Sequence, residues 1–441
     1  MIDPIATRFR EWLASADWPE RLGLSGLYLF ACFALVGPAG ANLGIAMMLA
    51  GLLMDRGARQ RLASHPLVWL AACSVLLTLA SLATAWTGGS ADAADHVRAA
   101  IGLIQLWLFI LCAWHFAARP ERIGLALVLL LAGFVLTRLF HPDMLRTATA
   151  DLRPGYGLPT LAHAEYCAIG VLSLLLCLPR WWSAGVATRI GGGVVLGLLA
   201  FWLIESQGRM AWLGLAALTP ILLLARAWLA DSAASRRRWL VGGAVLLLAV
   251  AAATQIDLVR ERLQAESEVV AQIRAGEWDA IGYSPIGIRV HLVTYGVDRW
   301  LERPWLGWGP GALPALLDIL PDARLHQQDL HNLYLDMLVR VGLLGSLPFA
   351  IGLLLVLRAA AHMVRQRRVP TDLALVLLGG IGLHLILALS NMRGLNVDWR
   401  HVWMLFGGAL ASFALFQPGP GGDPIRAPGS PPSGTGLEDR G

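Results

Sequence analysis

Twelve runs of apolar residues, most of them close to 20 positions long, punctuate this chain from one end almost to the other. They lie near 21–37, 39–54, 66–86, 98–117, 121–139, 159–178, 187–204, 209–229, 239–255, 331–357, 372–390 and 399–416. A hydrocarbon core about 30 Å thick takes roughly 20 helical residues to cross, and only helices or closed barrels satisfy the backbone inside it. The pattern predicts an all-α polytopic integral membrane protein with about 12 transmembrane helices. Composition agrees: 56% of the 441 residues are hydrophobic and 15% are charged, against roughly a quarter charged in a soluble domain. Net charge is +5, and all 35 basic residues are arginine. They are dealt out between the apolar runs rather than gathered on one soluble face, so membrane lipids are the expected surroundings and nucleic acid is not a partner.

Arginine placement also sets an orientation. Arg56, Arg59 and Arg61, Arg119 and Arg122, Arg236, Arg237 and Arg238, and Arg365, Arg367 and Arg368 fall in alternate loops. The positive-inside rule puts those loops and both termini in the cytoplasm. Expected regions are a cytoplasmic N-terminus at 1–20, spans over 21–255, a large helical loop on the outer side between the ninth and tenth spans at 256–330, spans over 331–416, and a disordered Gly/Pro-rich cytoplasmic tail at 417–441. The first two runs are separated only by Gly37, Pro38, Ala39 and Gly40, so a bent pair dipping into the bilayer is an alternative there. Residues 1–20 lack the pattern of a cleavable signal peptide. Cys32, Cys73, Cys112, Cys167 and Cys177 sit in apolar runs without metal-ligand spacing and read as small core residues. No internal repeat of the transporter kind is visible.

Ionisable groups at the predicted outer boundary carry the functional signal, because charge beside hydrocarbon is costly. Glu205-Ser206-Gln207-Gly208-Arg209 forms a tight turn, with Arg209 opening a helix whose free N–H groups and dipole favour an anion. A guanidinium there makes a phosphate site; the bland alternative is an arginine snorkelling to headgroups. Residues 286–302 read as an amphipathic helix with Arg289, Val293, Gly296 and Trp300 along one stripe and His291 nearby. Most other loop arginines read as a solvated face, with Arg262 and Arg303 left open. At the loop's return to the membrane stand His331, Asn332 and Tyr334. A neutral imidazole there can take a proton from a hydroxyl, and Asn332 and Tyr334 can orient sugar hydroxyls, though a histidine capping a helix end is the commoner fate. A fourth cluster holds Arg153, then His163 and Glu165, the last two on different sides of a helix. No metal-binding motif appears, so neither a metal nor another cofactor is expected. Asp336 and Arg340, four apart, should pair structurally.

Ser206-Gln-Gly-Arg209, then Arg289, then Pro304-Trp-Leu-Gly307-Trp-Gly309, then His331-Asn-Leu-Tyr-Leu335 with Gly342-Leu-Leu-Gly345, resemble the O-antigen ligase/polymerase superfamily in order and spacing. The motifs cover about 205–346. Size, span number and one dominant late loop look most like its lipopolysaccharide O-antigen ligases; Arg340 is a departure. The resemblance implies transfer of a glycan from undecaprenyl pyrophosphate to lipid A–core oligosaccharide, metal-independent and inverting, at the periplasmic face of a bacterial inner membrane, which makes the large helical loop at 256–330 a periplasmic loop. It implies His331 as general base and Arg209 and Arg289 as the pyrophosphate clamp. Asn332, Tyr334, Ser206, Arg153, His163, Arg262 and Arg303 are supporting candidates. A polymerase or a protein O-oligosaccharyltransferase of the same superfamily would share the donor chemistry. A non-enzymatic transporter of lipid-linked sugars would instead place its key charges at mid-membrane between repeated halves.

Overall fold

Wherever the sequence carries an apolar run, the chain is helical. The computed structural model describes residues 17–88, 92–141, 155–230, 232–253, 267–391 and 394–416, and these are all-α, with no strand among the described residues. Arg153, Arg262, the first 16 residues and the tail from 417 lie outside the described residues. The helices before the large loop are α1 (Trp18–Phe33), α2 (Pro38–Met54), α3 (Arg56–Ala63), α4 (Pro66–Gly88), α5 (Ala93–Gln105), α6 (Phe109–Phe116), α7 (Pro120–Leu139), α8 (Thr160–Leu176), α9 (Leu178–Ser183), α10 (Val186–Glu205), α11 (Arg209–Trp228) and α12 (Ala233–Ala253). The loop contributes α13 (Ser267–Ala275), α14 (Pro285–Glu302) and α15 (Leu313–Asp318), and the chain closes with α16 (Leu333–Arg365), α17 (Thr371–Leu387) and α18 (Val397–Leu415).

Each of the twelve runs falls in a helix, but six spans among the described residues are long and apolar enough to cross a membrane on their own. They are α4, α5 continued through a 3-10 turn into α6, α7, α10, α11 and α16. Six spans meet this measure, or seven if the bent pair of α2 and α3 is one span, and the other runs fall short of it for a physical reason. A helix of 16 or 17 residues, such as α1, α2, α8 or α17, is only about 25 Å long at 1.5 Å per residue. Charge interrupts the other two, at Arg236, Arg237 and Arg238 in α12 and at Asp398 and Arg400 in α18. Large apolar side chains nevertheless face outward, including Trp69 and Leu76 on α4, Ile190 and Phe201 on α10, and Leu347 and Leu354 on α16. So much exposed apolar surface fits a bilayer rather than water.

The first two helices form an antiparallel hairpin. Their backbones touch where side chains are missing: a Cβ on Gly26 would lie 2.7 Å from the Gly44 carbonyl oxygen, and one on Gly51 2.5 Å from that of Pro19. Small residues allow such close approach where hydrophobicity gives helices no preference for each other over lipid. After α2 the chain bends by 93°, and Asp55 caps α3 through the Ala58 N–H at 2.9 Å. Buried charge is compensated, as where Arg122 donates to Glu20 at 2.5 Å and to the His115 carbonyl at 2.9 Å.

One irregularity positions the rest. Helix α16 is broken at Gly342, whose φ of 68° and ψ of −174° suit glycine alone. Backbone freed near a membrane must find other partners. Segment 304–311 supplies them: Trp308 N–H donates to Val339 O at 2.8 Å and Gly309 N–H to Arg340 O at 3.0 Å. In return Leu343 N–H donates to Pro304 O at 2.8 Å and Leu344 N–H to Trp305 O at 3.1 Å. Arg340 pairs with Asp336, as their spacing predicts, and its Nη1 donates to Pro310 O at 2.5 Å. The large loop is thereby locked into the membrane bundle.

Candidate active site

The turn between α10 and α11 is built by its own small residues. Ser206 Oγ donates to Leu203 O at 2.7 Å and accepts from Gly208 N–H at 3.3 Å, while Gln207 takes a left-handed φ of 51°. Gly208 packs so closely on α8 that a Cβ would meet that of Ala164 at 2.4 Å. Tyr156, in the short stretch before α8, donates its hydroxyl to Glu205 at 2.6 Å, so the first and fourth sequence clusters meet. Arg209 therefore opens α11 from a fixed, half-buried position, and no side chain caps that helix.

Helix α14 begins at Ser284, whose hydroxyl accepts from Gly287 N–H at 3.2 Å, with Pro285 at its first position. The stripe expected on it divides. Gly296 is buried, its backbone pressed against Leu330 and Leu335, whereas Val293 is exposed. Packing of Leu292 and Tyr295 into a small loop core with Leu313, Leu316 and Leu317 turns Arg289 toward the bundle. Arg289 there lines a narrow cleft together with Glu165 of α8, Gly208 and Met210 on either side of Arg209, and Ser390 and Asn391 just beyond α17. Two arginine-bearing segments that lie 80 positions apart in sequence thus converge on one opening. His291 is used structurally, its ring stacked on Tyr283 at 4.9 Å and its Nε2 facing Ile281 O at 2.9 Å. Below it Arg324 chelates Asp322 and lies 3.7 Å over the Tyr283 ring. Those hydrogen bonds hold the Asp322 carboxyl well below the usual carboxylate range and raise both Arg324 and, through Asp322, the Tyr283 phenol.

His331 stands at the foot of α16 with a left-handed φ of 53°. That twist brings both its backbone N–H, at 2.8 Å, and its Nδ1, at 2.6 Å, onto one oxygen of Asp329. A carboxylate on Nδ1 fixes the tautomer that leaves the Nε2 lone pair for a proton. The ring is 30% exposed, enough to meet a substrate. Asp329 escaped the sequence reading, yet an Asp two residues before a backbone N–H is the signature of an Asx turn. Asn332 spends its carbonyl oxygen capping α16 through Tyr334 and Leu335 N–H, each at 3.1 Å. Tyr334 donates to Leu385 O at 2.9 Å and Leu333 N–H to Ala388 O at 2.9 Å. The histidine segment is thus pinned to the last turn of α17, the same turn whose Leu387 and following Ser390 wall the arginine cleft.

Other predicted residues lie elsewhere. His163 is fully buried among Phe134, Tyr156 and Trp202, with ring centroids 5.7, 5.2 and 6.0 Å away, and does not reach the cleft. Glu165, two residues on, faces the opposite way and does. Arg303 stacks 4.0 Å over Trp308 at the end of α14 and braces the 304–311 segment. The sequence reading paired Glu165 with nothing; in the fold its carboxylate meets His384 of α17.

Apolar helices with an apolar outer surface, and polar groups gathered where the large loop meets them, define a multi-pass membrane protein. Within that class, residues 194–350 match the O-antigen ligase family, a match that supports membership of the O-antigen ligase superfamily. The matched stretch runs from α10 into α16 and contains Arg209, Arg289 and His331. It supports an activity of the O-antigen ligase or polymerase type on lipid-linked glycans. No curated protein matches the chain.

Proposed function

We propose that the protein is an O-antigen ligase: it transfers a finished glycan from undecaprenyl pyrophosphate to a sugar hydroxyl of lipid A–core at the periplasmic face of the inner membrane. The observation that carries this reading is the shared wall formed by the end of α17. On one side it meets the arginine cleft and on the other the His331 segment. The pyrophosphate lies between Arg289 and the start of α11, where the guanidinium groups of Arg289 and Arg209 offer paired donors. The acceptor hydroxyl gives its proton to His331 Nε2 as its oxygen attacks the anomeric carbon. The C1–O bond to phosphate breaks on the opposite face, so configuration inverts and undecaprenyl pyrophosphate leaves. Negative charge grows on the leaving group in this step, and cations already in place stabilise it most at the transition state. Such a leaving group needs no proton. Asp329 holds the imidazole and stabilises the imidazolium that forms. Arg226 and Arg236 to Arg238 beyond the far end of α11, and Arg365, Arg367 and Arg368 at that of α16, support a cytoplasmic far end and so an outward-facing site.

Lipopolysaccharide banding in a strain deleted for this protein tests the reading. Long glycan that accumulates unattached to lipid A–core is the expected result. Attached single repeats would make the protein a polymerase, and an unchanged ladder would remove both activities.

A further inference from the structure

A buried hydrogen-bonded pair stands at the wall of the cleft and has no part in the mechanism above. Glu165 of α8 and His384 of α17 are paired through the imidazole Nδ1, with side chains 2% and 1% exposed. The His384 ring also stacks on Trp399 of α18, centroids 4.0 Å apart and planes within 18°. Its Nε2 has no hydrogen-bond partner among the described residues. A partnered polar contact inside a bundle contributes little to net stability compared with apolar packing, and α17 already has that packing, with Gly214 of α11 set against Leu383. What the pair adds is direction, because a directional hydrogen bond fixes one rotation and one height of a helix.

That direction matters here. His384 is followed immediately by Leu385, whose carbonyl receives the Tyr334 hydroxyl, and one turn later by Ala388, whose carbonyl receives Leu333 N–H. Both donors follow His331 by two or three residues. Glu165 itself lines the cleft beside Arg289 and Gly208. A single connected path therefore runs from the arginine cleft through Glu165, His384 and the end of α17 to the base.

We propose that Glu165 and His384 are positioning residues: together they set the register of α17 and so the distance between the pyrophosphate held in the cleft and the imidazole of His331. This rests on the reading given under Proposed function. Loss of the pair shifts the two halves of the site against each other and slows turnover without weakening the donor's grip.

The test is steady-state transfer in nanodiscs, with undecaprenyl-pyrophosphate-linked oligosaccharide as donor and lipid A–core as acceptor. A misplacement of ångström size costs up to about 100-fold in rate, so Glu165→Leu and His384→Leu should each lower kcat roughly 10- to 100-fold, and in His384→Leu, which does not line the cleft, donor KM should move less than about threefold. The double variant should be no slower than either single one, since both remove the same link. Additive losses, or a raised KM at unchanged kcat, would overturn the proposal. A milder pair of variants guards against misfolding. The amide nitrogen of His384→Asn sits where Nδ1 does, and that of His384→Gln where Nε2 does. The first should keep kcat within about threefold and the second should lose about tenfold or more; equal activity of the two overturns the proposal. So would folded protein made in smaller amount but with normal kcat, the mark of a merely structural pair. His331→Ala separates the levels: if it stays active, the reaction scheme and the tether fall together; if it is dead while His384→Leu turns over normally, the tether alone falls.

Discussion

Segments 304–311 and 329–335 both border the start of α16, and both were singled out by their motifs, yet they are used in opposite ways. The first is consumed by architecture. Its backbone fills the break at Gly342, its Gly307 and Gly309 take positive φ where a Cβ would strike Val339 and Arg340 or His96, and its Trp308 is covered by Arg303. The second leaves a half-exposed imidazole aimed by a carboxylate and rooted on a neighbouring helix. Glycine and tryptophan in such a motif report close backbone contact, whereas the histidine, under the proposed scheme, is left for chemistry.

Substitutions on the two sides of this division should fail in different ways. Gly342→Ala should have the largest effect, because its Cβ would lie 2.3 Å from the Trp305 carbonyl, which has no rotamer to escape by. Forcing that backbone region costs on the order of 1–3 kcal/mol before the clash is counted, and little folded protein should survive detergent gel filtration. His331→Ala should instead yield normal amounts of protein with kcat lower by about 10²–10⁴, the usual worth of a general base. Asp329→Asn keeps the turn but can present its amide N–H to Nδ1, favouring the wrong tautomer; about a tenfold or greater loss of kcat is expected, read in the same assay. Arg303→Ala is the mildest, removing a cation–π contact worth roughly 0.5–1 kcal/mol at a partly exposed site. Its activity should be near normal and its melting temperature slightly lower. Inactive but stable Arg303→Ala protein would blur the line between scaffold and site.

Much of the bundle was legible because period and length are local properties. Every apolar run became a helix, and the Asp336–Arg340 pair followed from i,i+4 spacing. What is not local stayed hidden. The break at Gly342 is invisible in a run that reads as continuously helical, since it exists only because 304–311 lies beside it. Likewise Glu165 and His384 are 219 positions apart, and no spacing rule joins them. Arg209 and Arg289 stand out by residue type at a boundary, whereas the cleft lined by Arg289 and by Gly208 and Met210 beside Arg209 needed the fold. Ser206 and Asn332 stand out as supporting candidates by residue type, whereas the backbone hydrogen bonds of their side-chain oxygens needed the fold.

The central claim is a division of labour within one site, in which arginine holds the pyrophosphate and His331 moves the proton. Undecaprenyl pyrophosphate binding to purified Arg289→Ala and His331→Ala proteins tests it directly. Loss of a charge-assisted hydrogen bond worth about 1.5–3 kcal/mol should weaken binding roughly 10- to 100-fold in the arginine variant and leave it unchanged in the histidine variant. Wild-type affinity in Arg289→Ala, or an equal loss in both, would contradict the account.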